Sequence, residues 1–143
     1  MASVLEEKDA IRELLHEYCY RLDQHRFIEL AELFTEDGEW ITPYARAKGR
    51  AEMAALWRRV VPLKGEGPGR LHYTMNTIVS VHGVRAEARS NYLVVLQVPD
   101  GLTPAVCGTY SDVLRKDEGV WRIERRELIH HIKGEMGLKI AGV

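Results

Sequence analysis

The chain has 143 residues, which is enough for one domain with a substantial core and too short for two. It is 45% hydrophobic and 29% charged, with a formal net charge of −1 and no long run of one sign. That balance is typical of a globular protein and disfavours a nucleic acid or an anionic membrane surface as the main partner. We therefore expect residues 1–143 to form a single domain.

The N-terminal residues and the cysteines indicate the compartment. The opening stretch MASVLEEKDAIREL is charged and lacks the apolar run of a signal peptide. No apolar stretch approaches the roughly 18 residues that a membrane span needs. Cys19 and Cys107 lie in apolar-patterned segments without CxxC spacing, which favours buried free thiols over a disulfide or a metal site. We expect a cytoplasmic protein with no membrane partner.

The first half of the chain has helical periodicity. In residues 3–22 apolar side chains recur at helical spacing, and Ser3 with Glu6 matches a capping box. After the break DQHR, residues 26–34 predict a second, shorter helix. Residues 49–61, GRAEMAALWRRVV, predict a third helix with an apolar side.

A turn, a loop and five strands complete the predicted elements. TEDGEWITPY predicts a turn at Asp37-Gly38 and then a short strand, and the Gly- and Pro-rich loop Pro62–Arg70 is expected to be mobile and to help shape a pocket. The hydrophobic period then changes to two. Strands are expected near Leu71–Val81, Val84–Val98, Ala105–Lys116 and Val120–Ile132. Their short turns predict an antiparallel meander, and three helices followed by a meander predict an α+β fold.

The first strand of the meander has two contrasting sides. Alternation places a polar set on one side, His72, Thr74, Asn76 and Ser80, and an apolar set on the other, Leu71, Tyr73, Met75, Val79 and Val81. The polar set either faces water or lines an internal pocket, and the alternation alone leaves both possibilities open.

Three sequence patterns, in order, carry a resemblance to a known family. The patterns Y....D......LAELFTEDGEW, LHYTMN and GTYSDVLRKDEGVWRI resemble the SnoaL-like group of the nuclear transport factor 2 superfamily, over nearly the whole chain. The resemblance implies a cone, a curved antiparallel sheet wrapped around N-terminal helices, as in the cystatin-like α+β barrel, with a pocket in its mouth. It also implies a homodimer or homotrimer, in which a like subunit covers the apolar outer side of residues 71–75.

The same resemblance implies a catalytic pair. Polyketide cyclases, scytalone dehydratase, bile-acid 7α-dehydratase and hexachlorocyclohexane dehydrochlorinase share an aspartate at the end of the first helix and a histidine at the start of the strand after the loop. These two residues fall on Asp23 and His72. In the bile-acid dehydratase pattern a tyrosine precedes the aspartate by five positions, which falls on Tyr18. A basic residue late in the last strand falls near His130 or, with a slip of one, on His131.

Two positions depart from the pattern of scytalone dehydratase. Its tyrosine immediately before the aspartate is replaced here by Leu22, and its strand asparagine falls near Tyr110. The arginine of the dehydrochlorinase has no confident counterpart. These departures disfavour the substrate of scytalone dehydratase.

The residue types suit proton abstraction from carbon. Histidine titrates near neutral pH and serves as a general base, while a neighbouring carboxylate fixes its tautomer and stabilises the imidazolium. Activity should then rise with pH as the base loses one proton. Tyr18 is the candidate proton donor. The candidate substrate-binding residues are Tyr44, Asn76, Tyr110 and His130. Donors of this kind stabilise a developing oxyanion, and the steps require neither a metal nor an organic cofactor.

Each candidate residue also has a structural interpretation. Asp23 can be the N-cap of the second helix, Tyr18 can be core, and His72 can begin a strand on a wet face. His130 and His131 point to opposite faces of a strand, and without further spaced ligands they are a weak zinc signal, so no metal site is expected.

The sequence leads to three hypotheses for function. The first is a cofactor-free lyase, isomerase or cyclase that acts on a hydrophobic cyclic or polyketide-like small molecule. The second is a non-catalytic small-molecule-binding domain of the same shape. The third is an accessory protein similar to the β-subunit of an aromatic-ring dioxygenase. The pair of Asp23 and His72 favours the first.

Overall fold

The computed structural model describes residues 1–61 and 69–133. The helices are α1 (Val4–Asp23), α2 (Phe27–Ala31) and α3 (Arg50–Val60). The strands are β1 (Phe34–Ile41), β2 (Arg46–Lys48), β3 (Arg70–His82), β4 (Arg85–Val98), β5 (Gly101–Asp117) and β6 (Val120–Lys133). The three predicted helices and the four-stranded meander are confirmed, and most of the predicted mobile loop lies outside the described residues. No described helix is long and apolar enough to cross a membrane.

The sheet is mixed and open, with strand order β2-β1-β6-β5-β4-β3. Strands β3 to β6 form the predicted antiparallel meander. The sheet is mostly antiparallel as expected, and the pairing of β1 with β6 is its one parallel pairing among the described strands. Short turns fix the direction of sequential strands only, and β1 and β6 are distant in sequence, so no turn determines their pairing. The described sheet has free edges at β2 and β3 and is therefore not a closed barrel.

The predicted turn at Asp37-Gly38 is wrong. Strand β1 runs through both residues, and its register against β6 shifts between Phe34 and Glu39. The shift is a bulge, which absorbs the turn-forming residues without reversing the chain. A Cβ on Gly38 would lie only 3.0 Å from the Cβ of Phe34, so the close approach in this bulge requires glycine. The predicted second helix also ends early, because Phe34 already belongs to β1.

Helix α1 packs its apolar side against the sheet. The capping box is confirmed, since the backbone N–H of Ser3 donates to the Glu6 carboxylate at 2.6 Å and the N–H of Glu6 donates to the Ser3 hydroxyl at 3.2 Å. The buried residues of α1 are Ile11, Leu15, Tyr18, Cys19 and Leu22. They join a core between the helices and the sheet, with the ring of Tyr18 against that of Tyr110. Cys19 is a buried free thiol as predicted, whereas Cys107 is free and only half-buried.

A bulge in β3 breaks the alternation expected for that strand. The register against β4 shifts between Met75 and Ile78, and Asn76 has a left-handed φ of 57°. Asparagine tolerates that conformation better than most residues. Before the bulge His72 and Thr74 point inward, but after it Val79 is buried and Ser80 is exposed. The polar set therefore does not share one face. On the outer side the three expected residues, Leu71, Tyr73 and Met75, are exposed.

Candidate active site

The end of α1 and the start of β3 bring Asp23 and His72 together. Asp23 is the last residue of α1, and its Oδ1 lies 2.6 Å from Nδ1 of His72. The backbone N–H of His72 donates to the same carboxylate, at 3.0 Å from Oδ2. Each side chain is only 11% exposed. One carboxylate therefore fixes both the beginning of the strand and the orientation of the ring.

This contact determines which nitrogen of His72 can act as a base. The ionised carboxylate of Asp23 can only accept hydrogen bonds, so the proton of neutral His72 belongs on Nδ1. Nε2 then keeps its lone pair. The pair has the geometry in which a carboxylate orients a general base and stabilises its protonated form.

The alternative role of Asp23 as a helix cap is wrong. The N-cap residue of α2 is Arg26, and no side-chain hydrogen bond caps that helix. The Asp23 carboxylate turns instead toward β3, where it accepts from His72.

The ring of His72 separates two concave regions. On the inner side it lines a cavity of about 40 Å³ between the helices and the sheet. The aromatic side chains of this inner cavity are Tyr18, Trp40, Tyr44, Tyr92 and Tyr110. On the outer side a groove of about 480 Å³ lies between α1 and β3, and both Asp23 and His72 line it. Asp23 thus supports His72 from the groove side, while His72 itself reaches the inner cavity.

Tyr18 is both a core residue and a cavity residue. Its side chain is fully buried, and its hydroxyl accepts a hydrogen bond from the indole Nε1–H of Trp40 at 2.9 Å. Burial raises the pKa of Tyr18 to about 12, while the nearby Arg126 opposes the shift. The phenol therefore stays protonated at neutral pH, so it can donate a hydrogen bond into the inner cavity.

A second histidine, His130, lies on the inner cavity among tyrosines. The Tyr44 hydroxyl lies 2.8 Å from Nε2 of His130, and the Tyr92 hydroxyl hydrogen-bonds to its Nδ1. Burial lowers the pKa of His130, and Lys133 contributes in the same direction. The neighbouring His131 is exposed and contacts Thr109 Oγ1 through Nε2 at 3.1 Å. Of the two aligned positions, the structure therefore places His130 at the cavity.

The backbone of β5 and β6 brings the His130 cluster together. Gly108 pairs with His130, and a Cβ on Gly108 would overlap the carbonyl oxygen of Ile129. That carbonyl also accepts from the Tyr92 hydroxyl at 3.4 Å. The ring of Tyr92 stacks on Tyr110 with centroids 4.7 Å apart. The absence of a side chain at Gly108 thus permits the approach of the Tyr92 hydroxyl to β6.

The structure does not bring Asn76 to the inner cavity. Its backbone lies at the bulge of β3, and its side chain is exposed. The expected placement of Asn76 in the pocket therefore fails, because the bulge ends the alternation that started at His72. The other candidate binding residues, Tyr44, Tyr110 and His130, all line the inner cavity.

Sequence reasoning missed three cavity residues whose side chains carry hydrogen-bond donors. Trp40 donates to Tyr18, Tyr92 bonds His130, and Arg70 lies on the wall with a side chain only 6% exposed. Burial lowers the pKa of Arg70, and the charge of Asp23 opposes the shift. One signal could have found Arg70, since a residue two before His72 on a strand points to the same side.

The donor set does not form a metal centre within the described parts of the chain. In residues 1–61 and 69–133 no group of three or more His, Cys, Asp or Glu side chains has the arrangement of metal ligands. The functional groups at the inner cavity are instead one carboxylate-supported histidine, one tyrosine-bonded histidine, several phenols and one guanidinium.

Comparisons with known proteins agree with this fold. The family model of the SnoaL-like domain matches residues 3–127. The chain therefore belongs to the SnoaL-like family. None of the curated proteins matches the chain significantly.

Several solved structures superpose on most of the chain. A nuclear transport factor 2-like protein with a cystatin-like fold from Novosphingobium aromaticivorans is 28% identical, with a TM-score of 0.80 over 98% of this chain and 92% of that one. A protein from the same organism with scytalone dehydratase as its proposed identity is 27% identical, with a TM-score of 0.78 over 96% and 92%. A protein of unknown function from Mycobacterium tuberculosis is 29% identical, with a TM-score of 0.78 over 87% and 72%.

Proposed function

We propose that the protein is a cofactor-free enzyme that removes a proton from carbon in a hydrophobic cyclic or polyketide-like small molecule. The reaction is a dehydration, an isomerisation or a cyclisation. The observation that carries the proposal is the 2.6 Å contact between Asp23 and Nδ1 of His72, with His72 lining both the aromatic inner cavity and the groove of about 480 Å³, whose volume is in the range of small-molecule sites. The similarity to a structure with scytalone dehydratase as its proposed identity supports the dehydration variant.

The first chemical step is proton abstraction by His72. Nε2 takes a proton from the carbon next to a carbonyl, and the electron pair of that C–H bond forms an enolate. The carboxylate of Asp23 stabilises the resulting imidazolium without taking its proton. A correctly positioned general base such as His72 accelerates a reaction by about 10²–10⁴-fold.

The second step uses the proton that His72 has taken. In a dehydration, the enolate re-forms the carbonyl, a C=C bond forms and the C–O bond to the leaving hydroxyl breaks. The hydroxyl leaves as water with a proton from Tyr18 or from the imidazolium. If Tyr18 gives the proton, the imidazolium returns one to it. In an isomerisation, the same proton goes back to another carbon.

His130 is hydrogen-bonded to two tyrosines, and its proposed role is to form hydrogen bonds rather than to act as the general base. Because burial lowers its pKa, His130 is neutral at pH 7 and lies within a chain of hydroxyl groups from Tyr44 to Tyr92. With the ring proton on Nε2, His130 donates to the Tyr44 hydroxyl, and we propose that this hydroxyl donates its own proton to the carbonyl oxygen of the substrate. A preorganised donor of this type stabilises an enolate by about 3 kcal/mol.

Deuterium exchange tests the proposal without knowledge of the natural substrate. Incubation of 2-tetralone in D₂O, followed by mass spectrometry, measures removal of a proton next to a carbonyl. Wild-type protein should accelerate the exchange, and His72→Ala and Asp23→Asn should each lose most of the acceleration. The exposed His131→Ala is the matched control and should keep it.

The alternative function has a distinct outcome in the same experiment. If 2-tetralone binds but the wild-type protein exchanges it no faster than His72→Ala, the protein is a small-molecule-binding domain. An enzyme should also show the single-proton rise of rate with pH that a histidine base produces.

We also propose that the protein is a homodimer. The exposed residues Leu71, Tyr73 and Met75 form an apolar outer side on the edge strand β3, which soluble monomers tend to avoid. Light scattering at micromolar concentration should give twice the chain mass of 16.3 kDa. A mass of 16.3 kDa would contradict the proposal, and Tyr73→Lys should shift a dimer toward that value.

A further inference from the structure

Arg70 is a buried cation on the wall of the inner cavity. It begins β3, two residues before His72, and its side chain is only 6% exposed. Its Nε–H has no hydrogen-bond partner among residues 1–61 and 69–133. Within the same residues no carboxylate lies within ion-pair distance of its guanidinium, although Asp23 is near enough to act on it through space.

The other deeply buried arginine has a different environment. Arg126 is completely buried, and Asp112 receives two of its hydrogen bonds, at 2.7 and 2.8 Å. The rings of Tyr18 and Tyr110 cover its guanidinium at 4.2 and 3.8 Å. Arg126 is therefore neutralised within the fold. A buried charge without such compensation is costly, which indicates that Arg70 has a role beyond the fold.

The nearby carboxylate is already engaged. Asp23 accepts both the backbone N–H and the ring Nδ1–H of His72. With neutral His72, the charge of Asp23 offsets that of Arg70 only in part, through space and without direct contact. Once His72 takes a proton, Asp23 neutralises the imidazolium, and Arg70 becomes the uncompensated charge of the inner cavity.

We infer that Arg70 binds an oxyanion of the ligand. A guanidinium presents its N–H groups in a planar fork that suits an anionic oxygen or a carboxylate. The oxyanion has two possible sources with the same chemistry, a carboxylate that the ligand carries and the enolate oxygen that forms when His72 removes the proton. Arg70 is an anion-binding residue in both cases. The inference specifies the ligand class of the proposed active site and rests on the proposed function for the second source only.

Binding of small probes tests the inference without turnover. Benzoate and the neutral benzamide have nearly the same shape, and NMR titration measures the affinity of each. Wild-type protein should bind benzoate more tightly than benzamide. Arg70→Met should weaken benzoate at least tenfold and leave benzamide unchanged. Arg59→Met removes an exposed arginine and should change neither affinity.

A second probe distinguishes the two sources. 4-Nitrophenol absorbs in the visible as its phenolate, so the spectrum of the bound probe shows how far the site favours an oxyanion on an enol-like group. Selective binding of benzoate alone assigns Arg70 to a ligand carboxylate. A larger phenolate fraction in wild-type protein than in Arg70→Met assigns it to the enolate.

The controls keep folding separate from binding. Arg70→Lys retains a positive charge and should retain part of the discrimination, whereas loss of structure in Arg70→Met would appear in its circular dichroism spectrum. If Arg70→Met does not fold, the test uses Arg70→Lys instead. This variant should bind benzoate less tightly than wild-type protein does and bind benzamide with unchanged affinity.

Clear results would overturn the inference. The inference fails if wild-type protein binds neither benzoate nor the phenolate. It also fails if Arg70→Met and Arg70→Lys bind both anions as tightly as wild-type protein does. His72→Ala should keep the benzoate preference, because Arg70 remains. If wild-type protein shows the benzoate preference but does not accelerate deuterium exchange, the proposed function is rejected and the role of Arg70 is not.

Discussion

His72 and His130 line the same cavity but have opposite environments. His72 has the carboxylate of Asp23 at 2.6 Å, which stabilises an imidazolium. His130 has the hydroxyls of Tyr44 and Tyr92 and no carboxylate among its described hydrogen-bond partners, and burial lowers its pKa. The same residue type is thus suited to accept a proton in one place and to stay neutral in the other. The partner of each ring, rather than its position on the cavity, determines the difference.

Loss of His72 should have the largest effect. His72→Ala should reduce deuterium exchange by about 10²–10⁴-fold, because the base is removed. Asp23→Asn should come close to that loss, since an amide cannot stabilise the imidazolium and the effects within one catalytic unit are not additive. The double variant should be little worse than His72→Ala. If the free-energy losses of the two single variants add up in the double variant, His72 and Asp23 act independently.

Loss of His130 should have a smaller effect on the same measurement. His130→Gln keeps a polar side chain without a titratable ring, and we expect a loss of about tenfold, near 1.4 kcal/mol in the barrier. Tyr44→Phe should act similarly, and the two changes together should be less than additive because the residues share one hydrogen bond. A loss as large as that of His72→Ala would reverse the roles assigned to the two histidines.

A side chain at Gly108 should lower the stability of the protein by disturbing the packing around His130. Gly108→Ala places a Cβ against the Ile129 carbonyl, so the approach of β6 and of Tyr92 must change. We expect a loss of about 1–3 kcal/mol in the free energy of unfolding, typical of overpacking, measured by urea titration. At Gly83 a Cβ meets open space and only the positive φ opposes it, so Gly83→Ala should cost less. Equal losses would contradict the role of Gly108.

The pH dependence of stability should show the smallest effect. Because the pKa of His130 is lower in the folded protein than in the unfolded chain, the unfolded chain binds more protons as the pH falls. The stability that neutral His130 contributes is complete above the unfolded value of about 6.5 and is lost as the pH falls toward the folded value. Thermal unfolding from pH 7.5 to pH 5.5 should thus reveal a decline that His130→Gln reduces. The exposed His131→Gln should keep the wild-type decline.

Local patterns in the sequence determined most of the fold. Helical spacing with the Ser3–Glu6 capping box determined α1, and the change to a period of two determined the meander of β3 to β6. Both signals are local, because the burial of one side of an element repeats along the chain. The resemblance to the SnoaL-like family added the curvature of the sheet and the alignment of Asp23 with His72, which periodicity alone does not provide.

Only the tertiary structure decided the contents of the cavity. The bulge at Asn76 removed that residue from the cavity, because a single extra residue reverses the alternation of a strand. The shift of β6 opposite Gly108 placed His130 inside and His131 outside. Within residues 1–61 and 69–133 Arg70 has no ion-pair partner, whereas Arg126 pairs with Asp112, and this difference depends on which carboxylates the fold brings near. A sequence lists the charges of a chain, but their compensation depends on distances that exist only after the chain has folded.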